Sequence, residues 1–225
     1  MNLLENKINN VNELINAFVF DGEFVKSSQL FDGHINNTYV FDFDNTIYDG
    51  ESAFHLFRFF MKKDKGLITF LPAVVTAFTK YKLGKLTVEE AINKYAQRAL
   101  DYYIENPHYK NCMKEFWDEH EKNIKPFYEK VRKDDDLILS CSPEISLSEI
   151  CKRLGVKNYL GTSINEEEGK IERLCLRENK VKAFFERYPD AEIDDLYTDS
   201  FNDKPLMDIS KNVYLVKGNK IKKIK

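Results

Sequence analysis

Short apolar runs, each closed by polar or turn-forming residues, mark the ends of the chain's strongest pattern. They lie at residues 38–42, 137–140, 159–162, 196–197 and 213–216. Each is too short for a helix and suits a buried strand. Between them, residues 143–154 and 180–188 space their apolar positions at helical intervals. Strands alternating with helices predict a parallel sheet sandwiched by helices. The segment 163–175 reads as a short hairpin turning at Glu168-Gly169-Lys170, and Gly218-Asn219 as a turn into a basic tail.

The stretch between the first two runs has a different character. Phe54, Leu56, Phe57, Phe60 and Met61 fall on one helical face. Thr87 with Glu90 forms a capping-box signature, and helical patterns continue to about residue 132, with breaks at Pro107 and Pro126. Residues 52–132 are therefore expected to be an inserted α-helical cap. Residues 38–51 and 133–225 form the α/β core. Residues 1–37 make an amino-terminal extension, a helix followed by a polar stretch with Gly22 and Gly33.

Several runs end in chemistry. The first closes with Asp42 and Asp44, then Thr46. Two carboxylates this close resist joint ionisation unless a cation lies between them, and oxygen donors of this type suit a hard divalent ion such as magnesium. A pair of loop aspartates capping the next helix would look the same locally. The second run ends in Ser140, within Leu-Ser-Cys-Ser-Pro-Glu, where Ser142 is placed either to cap the following helix or to meet an anion. Lys180 opens an amphipathic stretch, and a later run ends in Asp199-Ser200-Phe201-Asn202-Asp203. Taken singly, the serine reads as a cap and the lysine as a surface charge. Ligands of parallel sheets gather beyond the carboxyl ends of the strands, so these groups can converge.

In that order the residues resemble the haloacid dehalogenase superfamily, in the branch that includes phosphoserine phosphatase, over residues 38–217. The first motif matches Asp42, Asp44 and Thr46, and the second matches Ser140. The family lysine matches Lys180, with Lys182 as the other register, and the last motif matches Asp199 and Asp203 with Asn202 between them. The resemblance implies a Rossmann-like core with a helical cap. It also implies a phosphomonoester hydrolase that works through an aspartyl-phosphate on Asp42, with Asp44 as acid and base. Magnesium would be held by Asp42, Asp44 through its carbonyl, Asp199 and Asp203. Ser140 and Lys180 would meet the transferred phosphoryl group, and Thr46, Ser142 and Asn202 would support substrate. Glu51 lies where phosphoserine phosphatase carries a glutamate that meets the substrate amino group. The arginine of that enzyme falls near Tyr95, with Arg98 a turn later. A tyrosine cannot make the bidentate contact of a guanidinium, so phosphoserine itself is disfavoured.

Composition narrows the setting. The chain has 225 residues, 43% hydrophobic and 32% charged, which suits one core with an insertion. A net charge of −3 argues against a nucleic-acid partner. The longest apolar candidate, 66–78, is too short to span a membrane. Cys112, Cys141, Cys151 and Cys175 show no metal-ligand spacing, and the start of the chain lacks a secretory pattern. A reduced, cytoplasmic protein acting on a small phosphorylated metabolite is expected, with the oligomeric state left open. Trp117 reads as an anchor between cap and core, and the four histidines as isolated. A phosphotransferase or phosphomutase would use the same residues. A phospho-accepting signalling module uses a similar set, but without a large insertion after the first strand.

Overall fold

The computed structural model describes residues 38–70, 72, 73, 76, 79, 80, 85, 86, 90, 112–165 and 168–225. Thr87, Tyr95, Arg98, Pro107 and the extension 1–37 lie outside the described residues. Among the described residues seven strands form one sheet: β1 (Thr38–Phe41), β2 (Leu137–Pro143), β3 (Asn158–Asn165), β4 (Lys170–Arg173), β5 (Ile193–Thr198), β6 (Ser210–Lys217) and β7 (Lys220–Lys223). Their order is β4-β3-β2-β1-β5-β6-β7. The five inner strands run parallel, and β4 and β7 close the edges antiparallel.

Side-chain alternation explains why the sheet is covered on both faces. Val40, Leu137, Leu139, Leu196 and Val213 enter one apolar cluster. Their neighbours Phe41, Ile138 and Tyr197 enter the other. Phe41, Tyr197 and Tyr214 stack in a row across that second face, at centroid spacings of 4.5 and 4.6 Å. The α-helices whose bounds fall among the described residues are α1 (Ser52–Lys63), α2 (Cys112–His120), α3 (Pro126–Val131), α4 (Glu144–Leu154), α5 (Glu178–Arg187) and α6 (Lys204–Ile209). Helix α4 packs on β3 and also on α2, while α5 packs on β2 and α6. Gly155 ends α4 in the left-handed conformation at φ 67°, where its N–H reaches the carbonyls of Cys151 and Lys152.

Several local expectations are corrected. Pro126 does not interrupt a helix but begins one, where its missing N–H costs nothing. The basic tail is instead the edge strand β7, whose lysines keep an exposed edge soluble. Helix α6 was not foreseen, because its six residues carry too little periodicity. His55 and His120 are not isolated: their rings lie 5.4 Å apart, and the Tyr48 hydroxyl sits 2.6 Å from His55 Nδ1. Trp117 is fully buried between Phe43 and Tyr48, and its Nε1 donates to the Ser146 carbonyl of α4 at 3.0 Å. Among the described residues no helix is long and apolar enough to cross a membrane.

Candidate active site

The carboxyl ends of β1, β2 and β5 open into one cleft of about 120 Å³. Asp42, Asp44, Asn45, Glu51, Ser140, Cys141, Leu176, Lys180, Asp199, Ser200, Asn202 and Asp203 line it.

Asp42 follows β1 directly, and its N–H still pairs with Tyr197 O of β5 at 2.9 Å, so its backbone belongs to the rigid sheet. The chain then turns about the Phe43 carbonyl, which accepts the N–H groups of Thr46, Ile47 and Tyr48 at 3.2, 2.9 and 2.9 Å. Asn45 takes the left-handed conformation at φ 56°, which asparagine tolerates better than most residues. This turn brings Asp44 back beside Asp42.

Lys180, in the first turn of α5, is 3% exposed and bridges two motifs. Its ammonium donates to Asp42 Oδ1 at 2.9 Å and meets Asp203 Oδ1 at 2.8 Å. Lys182, the other register, is exposed. The second oxygen of Asp203 accepts the Thr198 hydroxyl at 2.9 Å. Each oxygen of Asp203 thus has one partner, and the residue holds the lysine in place with acceptor capacity left over. Asp199 lines the cleft, and its carboxylate accepts no hydrogen bond from the described residues. Its main-chain oxygen accepts Lys217 Nζ at 2.8 Å. Ser140 is 1% exposed and accepts the Ser142 N–H at 3.1 Å, which keeps its own proton for a group in the cleft.

Two expected substrate contacts fall elsewhere. The Thr46 hydroxyl donates to Asp42 Oδ2 at 3.2 Å, is fully buried, and is absent from the cleft lining. It orients the Asp42 carboxylate rather than substrate. Ser142 is also fully buried and donates to Asp44 Oδ2 at 2.5 Å. Nor does Ser142 cap α4, whose cap position is Pro143 without a side-chain bond. Glu51 and Asn202 do line the cleft, with Glu51 accepting Asn45 Nδ2 at 2.5 Å. Local pattern held no signal for Ser52, Lys125, Thr198 or Lys217, because each acts through a partner distant in sequence or hidden in a turn.

The electrostatics are strained by design. Among the described residues five carboxylates line the cleft, namely Asp42, Asp44, Glu51, Asp199 and Asp203, with Lys180 as the one cation in the lining and Lys125 and Lys217 behind it. Burial pushes Asp42 up to about 8 despite Lys180. Burial also raises Asp44, against the hydrogen bonds from Ser142 and Ser52. Burial and the Asp203 charge push Asp199 up to about 6. Burial disfavours the charged form of Lys180, but Asp203 and Asp42 outweigh it and hold the ammonium well above its usual range. The site is short of positive charge, and its donors are hard oxygens, which fits magnesium. Among the described residues no three His, Cys, Asp or Glu side chains are grouped to hold a metal. A cation here would therefore rest on Asp42 and Asp199 together with main-chain oxygen and water.

Comparison with known proteins bears on the fold and the family. A search of curated proteins found no match to the chain. Among solved structures, a protein of unknown function from Bordetella pertussis Tohama I superposes with a TM-score of 0.62 at 17% identity, covering 80% of this chain and 89% of that one. A HAD family hydrolase, t0658, from Salmonella enterica serovar Typhi gives 0.53 at 14% identity, covering 78% of this chain and 61% of that one. A phosphoserine phosphohydrolase-like protein from Francisella tularensis gives 0.48 at 17% identity, covering 79% and 85%. The model of the haloacid dehalogenase-like hydrolases matches residues 39–208, from the strand that carries Asp42 through the helix that follows Asp203, and the chain belongs to that family of enzymes.

Proposed function

We propose that this hydrolase is a magnesium-dependent phosphomonoesterase acting on a small phosphorylated metabolite through an aspartyl-phosphate. The observation that carries the reading is the bridge from Lys180 to Asp42 at 2.9 Å and to Asp203 at 2.8 Å. It gathers three distant motifs around one carboxylate that faces the cleft.

Asp42, held by Thr46 and Lys180, attacks phosphorus in line as a positioned nucleophile. Asp44 gives its proton to the leaving oxygen as the ester bond breaks. It then takes a proton from the water that cleaves the acyl-phosphate. Ser140 and Lys180 donate to the phosphoryl oxygens, where charge develops in the transition state. Magnesium, when held by Asp42, Asp199 and main-chain oxygen, would supply charge neutralisation for an anionic phosphate. Asp203 keeps Lys180 in place while that charge moves. The cleft is small, with Glu51 on its wall and Leu176 beside it, which favours a compact leaving group with a cationic or hydroxyl substituent. Cys151 and Cys175 are buried free thiols, in keeping with a reducing cytoplasm.

The test is a screen of phosphorylated metabolites with magnesium, with Asp42→Asn as control. Phosphate release by the wild type and none by the variant is the expected result. Equal release by both sinks the assignment of Asp42. Transfer of the phosphoryl group to an added alcohol in preference to water would favour a phosphotransferase using the same residues.

A further inference from the structure

Asp44 is held at both oxygens before any substrate arrives. Oδ1 accepts the main-chain N–H of Ser52 at 2.6 Å, and Oδ2 accepts the Ser142 hydroxyl at 2.5 Å. The two serine hydroxyls lie 3.2 Å apart. Ser142 is 0% exposed and Ser52 1%. Neither belongs to the cleft lining, so neither is placed to touch substrate. They come from different parts of the fold: Ser142 from the end of β2, and Ser52 from the first position of α1.

We infer that Ser142, with Ser52, is a positioning pair that sets the direction of the Asp44 carboxyl toward the leaving oxygen. This rests on the reading of Asp44 as proton donor in phosphomonoester cleavage. An aspartate beside Lys180 and a divalent cation would otherwise turn toward positive charge, as Asp42 does. Two bonds to groups that carry no formal charge remove that choice, and short bonds to a carboxyl are strong ones. The arrangement also ties the donor to α1, so the start of this helix and the acid–base group move together. Gly161 guards the same geometry: a Cβ there would lie 2.4 Å from the Ser142 carbonyl.

In the first half-reaction the Asp42–phosphorus bond forms and the bond from phosphorus to the leaving oxygen breaks. The Asp44 proton passes to that oxygen. In the second, water adds to phosphorus, its proton returns to Asp44, and the Asp42–phosphorus bond breaks. A misdirected Asp44 therefore penalises esters according to how much their leaving oxygen needs a proton. Alkyl phosphates need it, whereas p-nitrophenyl phosphate does not.

The experiment compares kcat/KM of Ser142→Ala with wild type on an alkyl phosphate drawn from the metabolite screen and on p-nitrophenyl phosphate. The ratio kcat/KM reports the first half-reaction, while kcat also contains the water step that Asp44 serves for both esters. For the alkyl ester, kcat/KM falls by roughly 10- to 100-fold. For the aryl ester, kcat/KM changes by less than about three-fold. Ser52→Ala, which keeps the N–H and loses the hydroxyl, gives the same pattern with a smaller loss and carries the test if Ser142→Ala does not fold. Equal losses of kcat/KM on both esters, or no loss on either, overturn the inference. A wild-type protein that cleaves neither ester overturns the phosphomonoesterase reading, and this inference with it.

Discussion

Lys125 Nζ donates to the main-chain oxygen of Asn45, 80 positions earlier in the chain. Around this contact, residues 123–125 run beside residues 47–49. Lys125 N–H bonds to Ile47 O at 2.7 Å, and Asp49 N–H bonds to Asn123 O at 2.8 Å. The lysine is 4% exposed, and burial lowers its pKa against the pull of Asp49, Asp199 and Asp42. It fastens the segment returning from α2 onto the turn that presents Asp44.

Removing that clamp should loosen the turn more than the fold. Lys125→Met leaves the Asn45 carbonyl without its donor, a cost of about 1–3 kcal/mol that is offset by relief of a buried cation. Turnover should fall on the order of 10- to 100-fold, since small misplacements of reacting groups are expensive. Steady-state kinetics beside thermal melting checks this. A variant with wild-type kcat removes Lys125 from the account.

Gly161→Ala should damage both stability and activity. Its new Cβ would meet the Ser142 carbonyl at 2.4 Å, Leu147 Cδ1 at 2.9 Å and Glu144 Cγ at 3.1 Å. The first is backbone and cannot swing aside, so the turn bearing Ser140 and Ser142 must shift. Overpacking of this kind costs about 1–3 kcal/mol. Denaturant unfolding and kcat should fall together, and an unchanged midpoint would contradict the contact.

Asp136 supplies a pH dependence away from the cleft. Asp136 is 2% exposed, and burial pushes its pKa up to about 6 against the Lys133 main-chain N–H, the Arg132 charge and the Tyr128 hydroxyl, which pull it down. The folded value lies above the unfolded one of about 3.9. Its contribution to stability is therefore complete in acid and is lost as pH rises through about 6. The loss is on the order of 3 kcal/mol at neutral pH. Asp136→Asn should gain stability over wild type at pH 8 and show no such gain near pH 4. Unfolding curves at both pH values test the sign.

Magnesium should stabilise the protein through the under-neutralised cleft. At about a hundred times its dissociation constant, the ion should raise the unfolding free energy by about 2.7 kcal/mol. Asp199→Asn should lose most of that increase, and chelator should abolish turnover. An identical magnesium-dependent shift in the variant would place the ion elsewhere.

The strands and the motifs at their ends were legible in one dimension for a simple reason. A buried strand shows its burial in consecutive apolar residues, and a parallel sheet delivers its chemistry at carboxyl ends, where Asp42, Ser140 and Asp199 stand. Ser140 and Lys180 gained meaning only from the order of the whole set. The register of Lys180 over Lys182 was open until helix α5 buried one and exposed the other. The duties of Thr46, Ser142 and Lys125 left no local trace. A serine reads alike whether it meets phosphate or a carboxyl 98 positions away. A lysine reads as surface until the fold buries it against a carbonyl. Such roles depend on where a hydroxyl or ammonium points after packing, and pairs remote in the chain acquire that direction from the folded whole.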